Sequence, residues 1–310
     1  MKITVVIPCR NEVNYIEECL QALYDCDLPK KASLQVFVVD GMSDDGTREV
    51  IQSLQSRYSS LELVDNKKQL TPFAFNLGIY AGGIADYIQI VGARHILSKN
   101  YLLTCIQTLQ SNKDVWCVGG RIMNEYINET GAIISKAMGT TFGMGLGNFR
   151  TLNKPGYTDT VTSPMYPYWV FEKIGFFDEE LIRNQDDDFN FRVANAGGKI
   201  YYEHEISLKY YVRGNYKGLW RQFYQYGYWK VYVNKKHGAV TTARQLVPPL
   251  FVLYLISLIP VLLLDQPWQM MYGIPLAIYL WMNIIFSGKS GKRADEMLQL
   301  LFTYPILHVS

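Results

Sequence analysis

Residues 3–12, ITVVIPCRNE, decide the fold. A β-branched apolar run reaches Pro8 and gives way at once to Arg10, Asn11 and Glu12. Such an uninterrupted run is the pattern of a strand buried on both faces, as in a parallel sheet. The pattern then recurs with helices between. Residues 14–24 carry Ile16, Leu20 and Leu23 at helical spacing, and residues 34–39, LQVFVV, form a second buried run into Asp40. Residues 47–57 put Val50, Ile51 and Leu54 on one helix face; residues 61–64 and 87–91 read as further strands around a small-residue helix at 73–82. Strands alternating with helices at this rhythm predict βαβ units and a doubly wound, mainly parallel α/β sheet with flanking helices. Ligands bind such sheets at the carboxyl ends of the strands. The polar clusters fall there: residues 10–12, 40–45 and 92–95.

Composition narrows the classes. The chain has 310 residues, 49% hydrophobic and 19% charged, which excludes a disordered chain and a coiled coil. A net charge of +2 gives no footprint for nucleic acid. The cysteines are Cys9, Cys19, Cys26, Cys105 and Cys117, an odd number without a CxxC pair, and they read as reduced, buried thiols. The opening MKITVVIPCRNE has too short an apolar run for a signal peptide, so the N-terminal part is expected in the cytoplasm.

The C-terminal part differs. Residues 246–264 and 268–286 each hold 19 positions without a charged residue. Each is long enough, as a helix, for a hydrocarbon core of roughly 30 Å. With only Asp265, Gln266 and Pro267 between them, they are expected to form a transmembrane helical hairpin. Lys230, Lys235, Lys236 and Arg244 precede it and Lys289, Lys292 and Arg293 follow, which puts both flanks on the cytoplasmic side of the inner membrane. Residues 297–309 are apolar but short: an interfacial helix, a re-entrant segment or a further span. The expected domains are residues 1–240 and 241–310.

Several constellations carry chemistry. Glu12 and Asp40 sit just past neighbouring strand ends, where carboxylates accept hydrogen bonds from ribose hydroxyls or a base N–H. Helix capping by Asn11 and Asp44 is the other reading. Residues 186–192, DDDFNFR, set three carboxylates in a row, which raise one another's pKa or form a solvated helix start. Residues 219–230, LWRQFYQYGYWK, interleave aromatics with Arg221, Gln222, Gln225 and Lys230, as suits a membrane interface.

VIPxxNE near the N-terminus followed by VVDGxSxDGT at residues 38–47 resembles the family 2 glycosyltransferases of GT-A fold, over about residues 1–235. The tail is similar to bacterial succinoglycan-type exopolysaccharide enzymes. The resemblance implies inverting transfer from a nucleotide-sugar, with a UDP-sugar expected, to a hydroxyl of a lipid-linked glycan, within a polysaccharide assembly complex. It implies that Pro8, Glu12, Asp40 and Asp45 line the nucleotide pocket, and that Asn76 and Gly78 lie near the donor. Asp186 falls on the catalytic base, with Asp188 beside it on acceptor or diphosphate. Gln222 and Gln225 fall where processive relatives hold acceptor and diphosphate, and Arg213 is expected at phosphate. Residues 157–168 are expected to form an acceptor-side loop. The sequence departs from the family after the fourth strand. Where members carry D-x-D or D-x-H for Mg²⁺ or Mn²⁺, this chain has Gly92 and Arg94. Arg94 is expected to neutralise the diphosphate instead, with His95 and His204 as alternative metal ligands. The same departure motivates a non-catalytic, nucleotide-sugar-binding scaffold as the alternative function.

Overall fold

The computed structural model describes residues 1–145, 150–240 and 246–310. In order, the elements are β1 (Lys2–Cys9), α1 (Ile16–Tyr24), β2 (Ser33–Asp40), α2 (Thr47–Gln55), β3 (Leu61–Asp65), α3 (Thr71–Gly82) and β4 (Tyr87–Ile90). Then come β5 (His95–Leu97), α4 (Tyr101–Ser111), β6 (Val115–Glu125), α5 (Glu129–Met138), α6 (Thr141–Met144), β7 (Gly156–Thr158) and β8 (Thr162–Pro167). The rest are α7 (Trp169–Ile174), α8 (Gln185–Asn195), β9 (Lys199–Tyr211), α9 (Tyr216–His237), α10 (Val247–Val261), α11 (Gln266–Ser290) and α12 (Ala294–Val309).

The chain divides into two compact units: Met1–Met123 with Leu152–Tyr211, and Asn124–Thr151 with Val212–Ser310. The second unit takes in residues 124–151 and everything from Val212 on. Residues 124–151 and α9 are polar enough to read as part of the α/β region, yet α5, α6 and α9 pack on α12 in the second unit.

The first unit holds a sheet of strand order β3-β2-β1-β4-β8-β6-β9-β5, with β7 on β9. Its first half is the parallel sheet the apolar runs predict: β2 pairs parallel with β3 and β1, and β1 with β4. Its second half is mixed in, with β8 antiparallel to β4 and β6, and β9 antiparallel to β5 and β7. The expected loop at 157–168 is largely β7 and β8. Pro164 and Pro167 argue against an inner strand, and β8 takes that place with a register shift between Val118 and Gly120. The core follows the strands. Ile3, Val5, Val6, Ile7, Val36 and Val38 are fully buried. Position 78 must be glycine for α3 to lie on β1 and β2: a Cβ there would overlap Val6 Cγ1 and meet Val39 Cγ2 at 3.0 Å. All five cysteines are free and buried. Burial pushes the Cys19 and Cys26 thiols up to about 12, so they stay protonated and inert.

The second unit is helical. Among the described residues one helix, α11, is long and apolar enough to cross a membrane. The expected span at 246–264 yields α10, 15 residues, or roughly 22 Å, short of a roughly 30 Å core. Arg244, one of its expected flanking charges, lies outside the described residues. The helix ends at Val261, one residue past Pro260. Leu262, Leu263 and Leu264 make tight-turn bonds to Ile259, Pro260 and Val261, and Gln269 Nε2 covers the Leu262 and Leu264 carbonyls at 3.1 and 2.7 Å. Pro275 interrupts α11, and the Tyr254 hydroxyl repairs the break. It donates to the Tyr272 carbonyl at 2.8 Å and accepts from the Leu276 N–H at 3.1 Å. The apolar segment 297–309 belongs to α12, whose Leu300, Thr303, Tyr304 and Leu307 are buried against helices of this unit. Phe142 packs on Tyr279, Phe286, Tyr304 and His308 there.

Candidate active site

The β1–β2 register sets Cys9 opposite Asp40, so the loops after both strands leave the sheet side by side. They are stitched together. Asn11 N–H donates to Ser43 Oγ at 2.8 Å, and the Asn11 amide exchanges bonds with Asp44 at 2.9 and 3.1 Å. Glu12 N–H donates to Thr47 Oγ1 at 2.8 Å and Val13 N–H to Asp45 at 3.3 Å. Asn11 and Met42 adopt left-handed backbone, φ 55° and 58°, to make these turns. Neither Asn11 nor Asp44 caps a helix: α1 starts at Tyr15 and α2 at Gly46 without side-chain caps. Asp45 accepts from the Thr47 amide at 3.0 Å, and from its hydroxyl. Burial alone would raise the Asp45 carboxyl, but the Thr47 and Val13 hydrogen bonds outweigh it and hold it below its ordinary value.

Asp40 is fully buried, and its oxygens serve the turn. Ser43 N–H donates to it at 2.9 Å, Ser43 Oγ also donates, and Arg48 Nη1 reaches it at 2.7 Å. Arg48 continues to Asp65 at 2.8 Å, joining the ends of β2 and β3. The sequence gives no role to Arg48; its place in the first turn of α2, just after the DGT run, is the signal that points it back at the strand ends. Pro8 is half-buried, opposite Val39 in β2.

Asn76 does not face the open edge. It is buried, with its amide N–H donating to the Phe177 carbonyl and to Glu179, both at 2.9 Å, and its oxygen accepting from the Phe177 N–H at 3.0 Å. It ties α3 to the segment before α8, and Gly78 serves packing. Both lie on the face of α3 that is turned inward.

The end of β4 brings Gly92, Arg94 and His95 to the same edge. Arg94 Nε donates to Glu12 at 2.7 Å, and its guanidinium lies over the Tyr15 ring at 4.6 Å. Tyr15 in turn packs on Tyr211, 5.1 Å between centroids. The His95 ring is held by Gly92 N–H at 3.2 Å and Ser163 Oγ at 2.8 Å, both on Nδ1. These residues do not fit a divalent metal. Gly92 offers no ligand atom, Arg94 puts a cation where an acid or imidazole would coordinate, and His204 lies near Tyr202, 3.4 Å from its hydroxyl. Among the described residues no group of three or more His, Cys, Asp or Glu side chains is arranged to hold a metal ion.

The acidic triplet begins α8, where the helix dipole favours negative charge. Its members face different surroundings. Asp186 is exposed, Asp187 half-buried and Asp188 fully buried. Asp188 pairs with Arg192 at 3.0 Å, and Arg192 also donates to the carbonyls of Ile174 and Phe176 at 2.7 and 2.8 Å. Asp188 is thus engaged in a buried ion pair within the fold. One turn beyond Asp186, Asn190 donates to Thr160 Oγ1 at 3.0 Å and accepts from Tyr166 Oη at 3.2 Å. Those bonds fix α8 against β8, whose Ser163 reaches His95 at the start of β5. Arg213, Gln222 and Gln225 belong to the second unit. Arg213 is exposed just past β9, and Gln222 donates to Tyr226 Oη at 2.9 Å along α9.

The glycosyl transferase family 2 profile matches residues 4–166, just over half of the chain. The chain is 31% identical over 232 residues to the dolichyl N-acetyl-α-D-glucosaminyl phosphate 3-β-D-2,3-diacetamido-2,3-dideoxy-β-D-glucuronosyltransferase of Methanococcus voltae, covering 73% of this chain and 71% of that protein. It is 25% identical over 290 residues to the succinoglycan biosynthesis protein ExoA of Rhizobium meliloti, covering 92% and 81%. Its fold is shared with the mannosyltransferase PcManGT of Pyrobaculum calidifontis, solved with GDP-Man and Mn²⁺, at TM-score 0.65 and 15% identity over 98% of this chain and 86% of that one. With the VIPxxNE and DGxSxDGT loops joined at the carboxyl edge of a GT-A-like sheet, the chain belongs to the family 2 glycosyltransferases and is an enzyme that takes its sugar from a nucleotide-sugar donor.

Proposed function

We propose that this enzyme moves a sugar, with inversion, from a UDP-sugar to a hydroxyl of a lipid-linked glycan at the cytoplasmic face of the membrane, in assembly of a cell-surface polysaccharide. One observation carries the reading: of the three acids that open α8, Asp186 alone is exposed, while Asp188 is spent on Arg192. Asp186 takes the proton of the acceptor hydroxyl. The hydroxyl oxygen attacks the anomeric carbon from the face opposite the leaving group. The bond to the nucleoside diphosphate breaks, and its electron pair leaves with the diphosphate. One base and one in-line attack give inversion. Pro8, Glu12 and Asp45 line the nucleoside side; Asp40 shapes that loop from beneath. The relative named for a dolichyl-phosphate-linked sugar and the one named for succinoglycan support a lipid-linked acceptor and a polysaccharide product. The apolar α11 supports attachment to the membrane.

The test is transfer from a panel of nucleotide-sugars to lipid-linked acceptors by the purified chain, beside Asp186→Asn. The variant is expected to bind donor and to lose transfer by about 10²–10⁴-fold, the range for removing a general base. Transfer by Asp186→Asn at the native rate refutes the assignment.

A further inference from the structure

The end of β4 holds two features that act together. The missing side chain at Gly92 is not a gap. A Cβ there would lie 2.9 Å from Cε1, 3.0 Å from Nδ1 and 3.1 Å from Nε2 of His95. The imidazole fills the volume a carboxylate at 92 would need. It is not free to yield, because Ser163 and Gly92 N–H hold Nδ1 while the ring stands edge-on to Tyr210, 5.5 Å between centroids. Ser163 is itself pinned in left-handed backbone, φ 44°, an arrangement that costs free energy in a residue with a Cβ. Its carbonyl accepts from the buried Gln89 Nε2 at 2.7 Å and from Tyr101 Oη at 3.0 Å, so a buried network keeps it there.

Two residues on, the cation is equally fixed. Arg94 spends Nε on Glu12 and rests its face on Tyr15. A guanidinium held by Nε presents its Nη edge, and that fork matches two phosphate oxygens. A divalent ion at the same place would lack a carboxylate from position 92 and would face Arg94's charge.

We infer that this chain, taken as the nucleotide-sugar enzyme proposed above, neutralises the donor diphosphate with Arg94 rather than with a divalent cation, and that the His95–Ser163 pair closes position 92 to a metal-binding carboxylate. Glu12 and Tyr15 are then positioning residues for that cation.

The test is calorimetry of the purified full chain with UDP and with GDP, in EDTA and in MnCl₂, with uridine as the phosphate-free control. The expected result is a nucleotide affinity that changes less than about threefold between EDTA and Mn²⁺. Arg94→Ala weakens the nucleotide at least tenfold and leaves uridine binding unchanged, which also reports a folded pocket. Gly92→Asp with His95→Ala, which makes the room, acquires Mn²⁺-dependent tightening of the nucleotide. Tightening of the native chain by Mn²⁺ of tenfold or more overturns the inference and leaves the functional reading standing. So does an Arg94→Ala variant that loses uridine as strongly as nucleotide. A double variant indifferent to Mn²⁺ overturns the role given to His95. Failure of both nucleotides to bind in either condition overturns the donor reading and this inference together.

Discussion

Replacing Asp188 and Asp186 one at a time separates an acid that holds the fold from one that does chemistry. Asp188 is fully buried and pairs with Arg192, whose side chain is about a fifth exposed. Breaking a buried pair from one side costs about 3–5 kcal/mol. Arg192 keeps water and the carbonyls of Ile174 and Phe176, so Asp188→Asn belongs at the lower end, about 3 kcal/mol. For a unit of this size that is a fall of roughly 6–12 °C in Tm. Asp186→Asn removes an exposed acid from the first turn of a helix, worth about 0.5 kcal/mol, and its Tm should scarcely move. Thermal unfolding followed by near-UV circular dichroism measures the first effect. A transfer assay at a temperature where both variants are folded measures the second. The expected pattern is crossed: Asp188→Asn is unstable but retains measurable transfer, and Asp186→Asn is stable and inactive. An Asp188→Asn variant with native Tm and no transfer would refute the division of labour drawn from their burial.

Other outcomes follow from single contacts. Gly78→Ala sets a methyl against Val6 and Val39, and should destabilise the chain by about 1–3 kcal/mol in denaturant unfolding as α3 is pushed off the sheet. Asp45 has its carboxyl held below its ordinary 3.8 by hydrogen bonds, so its contribution is present above about pH 4 and is lost as pH falls through the lower folded value. The stability difference between the native chain and Asp45→Asn should therefore be constant near pH 6 and shrink below about pH 4. Tyr254→Phe strips the hydroxyl that serves both Tyr272 and Leu276 at the Pro275 break, and should cost about 1–3 kcal/mol of thermal stability in detergent.

Much of the parallel half was legible in residue order. The runs at 3–8, 34–39, 61–64 and 87–91 became β1 to β4 with ends moved by a residue or two. Burial on both faces leaves a local signature, and the polar residues that end each run mark the carboxyl edge. Part of the antiparallel half left none, whereas β9 does alternate, with Ile200, Tyr202, Ile206 and Leu208 buried: β5 and β7 are three residues each and β8 contains prolines. Such strands are held by long-range pairing, not by their own pattern. The C-terminal helices follow the same division. Hydropathy counts apolar residues without regard to where the helical hydrogen bonds end, and those of α10 end at Val261. It also missed that α12 turns its apolar face into its own unit.

The site shows where sequence and tertiary structure divide the work. Sequence alone determined which residue types stand at the edge of the sheet, because a strand end and its loop are local, and it determined the family, because two motifs lie on consecutive strands. Tertiary structure decided which of those groups are buried in pairings and which reach the surface. Asp40 is spent on Ser43 and Arg48, Asp188 on Arg192, and Asn76 on Phe177, while Asp186 is exposed. It also brought His95 against Ser163, 68 residues away, and so filled the space beside Gly92. A carboxylate or an amide looks the same in a sequence whether it meets water, an arginine or a backbone N–H. Only the three-dimensional packing supplies the partner, and the partner decides whether the group does chemistry or holds the fold.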